Sequence, residues 1–340
     1  IARGLRGAGL EVEELGLEAL AEPFDGGAVA KPFDGCVLLH ALHAFKTGVT
    51  VRSLSRKLGI PYVVSITGTD IHDDLHLQDR QEQVMAVLRD AEAILCASGE
   101  AAALLREAHG VQTPCLLVPK GVDAPAKPAL PDPDAGEQVV FLHVGGWRDV
   151  KNNLFSLEPL ARLAAELGPG RVRLRFVGPV LDAAYHARWL RMRGRSSFAE
   201  DRGEVAPALM GAEYSAAAVA VNTSHSEGGS NAVLEAMAGG RVVLASDVAG
   251  NRAFLRFDDE RWSASTGILY HTPVLEEPGP VRLAHDAEDF YLKARRLALD
   301  AALRRRIGWN AWEFVQREHS LGRELEGVRE AYRLAGLTVR

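Results

Sequence analysis

Residues 224–240 read SHSEGGSNAVLEAMAGG, a stretch with one glutamate ahead of two glycines and a second glutamate eight positions after the first. The preceding run AAVAVNT (217–223) is apolar and of strand length. Ser230 is a good N-cap, residues 231–238 form a short helix, and Gly239 and Gly240 stop it. Strand, glycine loop and helix N-terminus in this order make a site for anions or polar oxygens, because free amide N–H groups and the helix dipole both point outward there. Gly228 and Gly229 admit a ligand to the backbone without a Cβ in the way, and Asn231 opens the helix beside them. Glu227 lies in the loop, and Glu235 lies in the second helical turn, leaning back toward the same site. The two acceptor oxygens of a carboxylate suit a vicinal diol such as ribose. The arrangement fits a molecule that carries sugar hydroxyls and phosphates together.

Taken alone, two glutamates at this spacing read more readily as a surface acid and a helix acid that caps or pairs with a nearby cation. A second cluster tips the balance. The strand VVFLHVG (139–145) ends in GGWRDVKNN, which places Gly146, Arg148 and Lys151 at another strand-to-helix turn. Two cations at a glycine turn are placed to hold a diphosphate, arginine by its fork and lysine as a point charge; the plain alternative is two solvated surface cations.

With the linker-side VPKGVD, these motifs resemble family 4 glycosyltransferases of the GT-B fold, over residues 9–335. Within that family, ITGTD, GGWRDVKN and SEGGSNAVLEAM are similar to a small branch that holds glycosyltransferase 1 domain-containing and selenosugar synthase-like proteins. The resemblance implies a retaining transfer of a hexosyl or N-acetylhexosaminyl group from a nucleotide-sugar, a UDP-sugar above all, to an unidentified acceptor, with no cofactor and no obligatory metal. It would set Glu235 on the ribose, and Glu227 with the amides of Gly228, Gly229 and Ser230 on the donor sugar. Arg148 and Lys151 would meet the leaving diphosphate. The alternatives are a selenosugar- or thiosugar-forming transferase and a non-catalytic nucleotide-sugar-binding protein; an epimerase or phosphorylase of the same fold is weaker.

Many family members carry a histidine where this chain has Thr67, in ITGTD. That departure puts a catalytic histidine in doubt. Thr67, Thr69 and Asp70, at a strand end, remain acceptor-side candidates, with Asp70 equally an N-cap; His43 and Lys46, after the strand CVLLHAL (36–42), join them. The run TDIHDDLH invites a metal reading through Asp70, His72, Asp73 and His76, but no further ligand pattern supports it.

The elements that must position these residues alternate. Apolar strand-like runs at 36–42, 61–67, 92–98 and 114–119 are separated by helical stretches near 47–58, 78–90 and 99–109. A second series runs from 139–145 through 172–178, 217–223 and 242–246, with helices near 152–167 and 182–193 and a helical C-terminus over 286–336. This βαβ alternation predicts an α/β fold of two Rossmann-like, doubly wound domains facing a ligand cleft. The expected division is 1–122 for the acceptor-side domain, a Pro-rich linker at 123–138, 139–318 for the nucleotide-sugar domain, and 319–340 for a helix crossing back to the first. The chain opens in mid-helix, with a glycine stop at Gly7 or Gly9 and then a strand; a first strand is expected to precede it.

Composition adds exclusions. With 340 residues, 47% hydrophobic and 25% charged, the chain is of ordinary globular type and long enough for two domains. A net charge of −6 gives no electrostatic reason for nucleic acid as the main partner. The most basic run, RWLRMRGR (188–195), reads as a solvated helix end, with a membrane-surface or acidic-partner role as the alternative. Three cysteines without a C-x-x-C pair point to free thiols in a reducing, cytoplasmic setting, and no apolar run is long enough to span a bilayer.

Overall fold

The computed structural model describes residues 2–7, 9–16, 33–72, 74–130, 138–272 and 285–337. It divides into two compact units, residues 1–121 with 319–340, and residues 122–318. The Pro-rich stretch at 123–138 falls partly outside the described residues.

In the first unit, α1 (Ala2–Gly7) precedes a run of β1 (Leu39–Leu42), α2 (Gly48–Leu58), β2 (Tyr62–Ser65), α3 (Thr69–His72), α4 (Gln78–Asp90), β3 (Ala93–Cys96), α5 (Gly99–Glu107) and β4 (Cys115–Leu117). The four strands pair in parallel in the order β1-β2-β3-β4. All four residues of β3 are buried, as a strand covered on both faces requires. Local signals set the helix ends. Gly59 closes α2 at φ +68°, and the Ser98 hydroxyl accepts the Ala101 amide at the start of α5. One expectation fails: after Gly9, itself left-handed at φ +82°, residues 10–16 form no strand. Arg6 holds them instead by donating to the Val12 carbonyl, at 2.8 Å from Nη2.

The second unit runs through β5 (Val139–Val144), α6 (Leu157–Leu167), β6 (Val172–Val177), α7 (Ala183–Met192), β7 (Ala199–Asp201), α8 (Met210–Ala216), β8 (Val219–Asn222), α9 (Asn231–Ala238), β9 (Val242–Ser246), α10 (Ala249–Arg252), β10 (Ile268–Tyr270), α11 (Ala287–Leu299) and α12 (Ala301–Glu318). Its parallel sheet has the order β10-β9-β8-β5-β6-β7. Successive strands build outward from β5 to one side and from β8 to the other, so the winding reverses between β5 and β8. That is the switch point where loops at the carboxyl ends part and ligands bind in such sheets.

Along β5 the side chains alternate between two cores. Phe141 packs with Leu174, Phe176, Tyr270 and Phe290 on one face, and Leu142 with Leu234, Met237, Val243 and Phe314 on the other. The strands β7 and β10 and the helix α8 go beyond the sequence reading. The helix expected from 152 begins as two 3-10 turns, Asp149–Lys151 and Asn153–Ser156, before α6. The C-terminal helix α13 (Leu321–Leu334) belongs to the first unit, where Val328, Ala331 and Tyr332 pack with Leu5, Val63, Leu95 and Val118.

Candidate active site

The loops that follow β5 and β8 meet at the switch point. The His225 amide donates to the Val150 carbonyl at 2.9 Å, and the Thr223 hydroxyl donates to the Asn152 carbonyl at 2.9 Å. Asn152 takes the left-handed conformation (φ +46°), which asparagine tolerates better than most residues. Below them, the buried His143 ring bonds through Nε2 to Thr223 Oγ1 at 2.9 Å. Because Thr223 gives its proton to a carbonyl, the imidazole is the donor in that bond. Burial, reinforced by the Lys151 charge, pushes His143 down to about 4, so the ring is neutral near neutral pH.

This loop contact brings Lys151 and Glu227 together, 76 positions apart in the chain. Lys151 Nζ donates to Glu227 Oε1 at 2.6 Å, and the same oxygen accepts from Asn222 Nδ2 at 2.9 Å and Ser224 Oγ at 2.6 Å. Their side chains are 17% and 7% exposed, so the pair sits largely out of water. Burial raises the Glu227 carboxyl, but the Lys151 charge and the three hydrogen bonds outweigh it and hold the group below its ordinary value.

The support behind Glu227 is a buried amide web. Asn222 Oδ1 accepts from the Ser224 amide at 3.2 Å and from Asn251 Nδ2 at 3.1 Å; Ser246 Oγ donates to the Ser224 carbonyl at 2.8 Å. Gly250 makes room for the loop, since a Cβ there would lie 2.0 Å from the Glu227 carbonyl oxygen. Gly229, at φ +113°, turns the chain into α9. Ser230 occupies the N-cap position, but its side chain makes no cap hydrogen bond, contrary to the sequence expectation, and it is buried. Gly228 and Asn231 are exposed. Gly146 packs closely, with a Cβ at that position falling 2.6 Å from Leu181.

The remaining charged residues fall in different settings. Arg148 is exposed and has no ion-pair partner among the described residues. Glu235, partly buried, accepts the Tyr214 hydroxyl at 2.8 Å through Oε2 and makes no direct bond to Lys151 or Arg148. Burial, and then the Glu235 charge, raise the Tyr214 phenol well above its ordinary value, so it stays a donor.

In the first unit Asp70 is fully buried. Its carboxylate accepts the amides of Ala44 at 3.0 Å, Thr67 at 3.0 Å and Gly68 at 2.8 Å, so it ties two loops together from within. His43 is buried too, at a strained φ of +95°. Its Nδ1 accepts the amides of Phe45 and Lys46, both at 3.2 Å, which places the ring proton on Nε2, 3.0 Å from the Thr69 hydroxyl. Burial lowers the His43 pKa against the opposing charges of Asp70 and Asp74. Thr67, Thr69 and Lys46 are exposed. Of the suggested metal run, Asp73 lies outside the described residues and Asp70 is committed to amides.

Sequence reasoning missed Asn222, Ser224, Asn251, Tyr214 and His143. The polar triplet Asn222–Thr223–Ser224 closing a buried strand was a usable signal; Tyr214 and Asn251, on separate helices, had none.

Residues 138–273 match the family model of glycosyl transferases group 1. The chain is 26% identical over 276 residues to glycosyltransferase 1 domain-containing protein 1 of Xenopus tropicalis, covering 77% of this chain and 72% of that one. In structure it is similar to sucrose-phosphate synthase from Thermosynechococcus elongatus, with TM-score 0.69 and 21% identity over 88% of this chain and 73% of that chain. It is also similar to HepE of Anabaena, solved with UDP and glucose, with TM-score 0.68 and 19% identity over 88% and 78%. Two parallel sheets with these neighbours define the GT-B fold, and over residues 138–273 the chain is similar in sequence to the group 1 glycosyl transferases.

Proposed function

We propose that this protein is a retaining glycosyltransferase of family 4, which moves a hexosyl or N-acetylhexosaminyl group from a UDP-sugar to an acceptor. The observation that carries the reading is the largely buried Lys151–Glu227 pair at the sheet's switch point, inside the stretch similar to group 1 glycosyl transferases. In this reading Glu235 holds the ribose hydroxyls. Glu227 faces the donor sugar, alongside the amides of Gly228, Gly229 and Ser230. Lys151 spends one of its three N–H bonds on Glu227 and keeps the others for a phosphate oxygen, and the exposed Arg148 supplies a second cation.

The chemistry requires that charge developing on the leaving diphosphate be met by groups already in place. Lys151 is such a group, since Glu227, Asn222 and Ser224 fix its partner before any ligand arrives. Removal of Lys151 or Arg148 is expected to cost ~2–4 kcal/mol of transition-state stabilisation, or ~10²–10³ in rate. Two cations in this position make a metal unnecessary. On the acceptor side, Thr69, oriented by His43, together with Thr67 and Lys46 offers exposed polar groups, while Asp70 shapes the loop from beneath. The likeness to glycosyltransferase 1 domain-containing protein 1 of Xenopus tropicalis supports the glycosyltransferase reading. Free thiols at Cys36, Cys96 and Cys115 accord with a cytoplasmic setting, and no helix among the described residues is long and apolar enough to cross a membrane.

Calorimetric titration with UDP and UDP-sugars tests the donor site, and mass spectrometry of the products tests transfer. Glu235→Ala removes a charge-assisted hydrogen-bond acceptor and is expected to weaken UDP binding by roughly 10–100-fold. Glu227→Ala is expected to reduce turnover more than nucleotide affinity. Unchanged UDP affinity in the Glu235 variant would refute the assignment, and binding without transfer to any acceptor would leave a nucleotide-sugar-binding protein instead.

A further inference from the structure

The two glutamates of the site are held in different ways. Glu227 meets a cation, Lys151, whereas Glu235 meets a neutral hydroxyl, that of Tyr214, at 2.8 Å from Oε2. The difference sets what each carboxylate can still do. A lysine or arginine beside Glu235 would compete with a ligand for the carboxylate oxygens. A phenol brings no charge and takes one of the roughly four acceptor positions of a carboxylate, so it orients the group without forming an ion pair.

Tyr214 is itself firmly set. The helix α8 carries Glu213 and Tyr214 side by side, about 100° apart around its axis. Glu213 turns to the sheet edge, where Arg175 of β6 donates to it at 3.1 Å and Arg202, just after β7, at 3.5 Å. Arg175 also donates to Glu200 of β7 at 2.8 Å, which ties the two edge strands and the helix together. Tyr214 turns the other way, 4% exposed, into one buried cluster with Leu142 of β5 and with Leu234 and Met237 of α9. The ion pairs hold the helix and the packing holds the ring, so the hydroxyl has a set position beneath Glu235. Burial, and then the Glu235 charge, keep the phenol protonated and hence the donor in this bond. A glutamate without such a partner has its rotamers to lose when a ligand arrives, which weakens affinity roughly 2–10-fold.

We propose that Tyr214 is a positioning residue for ribose recognition: its hydroxyl presets the Glu235 carboxylate for the sugar hydroxyls of the nucleotide, and so sharpens the preference for a ribonucleotide over one that lacks them. The proposal rests on the reading that Glu235 meets the ribose. It adds that this grip is set in advance by α8, an element that the ion pairs of Glu213 anchor to the far edge of the sheet.

Calorimetric titration of the full chain with UDP and with 2′,3′-dideoxy-UDP tests it, in the parent, Tyr214→Phe, Glu235→Ala and the double variant. Tyr214→Phe keeps the ring and removes only the donor. UDP affinity is expected to fall roughly 2–10-fold, while affinity for the dideoxy nucleotide stays within about twofold, so the preference narrows. In the Glu235→Ala background the same substitution should bring no further loss of UDP affinity, because the hydroxyl then has no carboxylate to orient. Circular dichroism and thermal unfolding of each variant report the fold separately from affinity. If Tyr214→Phe weakens both nucleotides equally, or weakens UDP as much in the Glu235→Ala background as in the parent, the residue acts through packing and the proposal is overturned. It is overturned as well, with the ribose reading kept, if Tyr214→Phe binds UDP like the parent while Glu235→Ala does not. A Glu235→Ala variant that binds both nucleotides like the parent removes the ribose reading itself, and the proposal with it.

Discussion

Lys151→Met probes the Lys151–Glu227 pair most directly, because it keeps most of the side-chain volume and removes the charge. Glu227 would remain largely buried, with Asn222 and Ser224 still donating to Oε1. Removing one partner of a fully buried ion pair costs about 3–5 kcal/mol. Here the two neutral donors survive and Lys151 is 17% exposed, which lowers the expected loss to about 2–3 kcal/mol. For a unit of this size that corresponds to a fall in Tm of roughly 4–12 °C. The pH dependence supplies the sharper test. In the parent, the Glu227 pKa is lowered on folding, so its contribution is present above the ordinary carboxylate value and fades as pH falls through the folded one. In the variant the leading influence, burial, is no longer opposed by the cation, so the folded pKa rises above the unfolded one. Protonation then favours the folded state, and the gap between parent and variant should narrow as pH is taken from neutral to about 5. Differential scanning calorimetry across that range reads both slopes. The double variant Lys151→Met/Glu227→Gln should recover part of the loss, since it leaves no buried charge unpaired. A gap that widens on acidification, or a Lys151→Met variant as stable as the parent at neutral pH, would refute the reasoning.

Two further substitutions test the supporting structure. Gly250→Ala places a Cβ 2.0 Å from the Glu227 carbonyl oxygen, where only backbone can yield; a loss of about 1–3 kcal/mol in thermal unfolding and a fall in sugar-transfer rate are expected, and a parent-like Tm would contradict the packing. Asp70→Ala strips the acceptor from the Ala44, Thr67 and Gly68 amides and is expected to cost about 3–5 kcal/mol, with faster hydrogen exchange at those amides; Asp70→Asn should cost less, and exchange rates unmoved in both would count against its role as a loop tie.

Some of this protein was legible before folding was considered. Runs such as Val139–Val144 and Val242–Ser246 are mostly apolar on both faces, and their short length and β-branched content fit a covered parallel strand. Helix ends marked by Gly59 and Ser98 follow from local stereochemistry. The glycine turn into α9 could be read for the same reason, because a φ of +113° at Gly229 is a property of one residue. The short edge strands β7 and β10 escaped, since three residues give too little periodicity to separate them from loop. Residues 10–16 showed the converse, an apparent strand that found no partner and was tied to Arg6 instead.

The chemical types and their loops were therefore sequence properties, while their pairings were not. That Lys151 meets Glu227 depends on β5 lying beside β8, a neighbour relation that crosses 76 positions. That Glu235 is held by Tyr214, and Asn222 behind Glu227 by Asn251, depends on helices whose spacing along the chain carries no periodic signal. Local propensity acts over a turn or a strand, so it determined which residues stood at element ends. Burial of the sheet between two apolar layers decided which ends came together, and with them which charges left water as a pair.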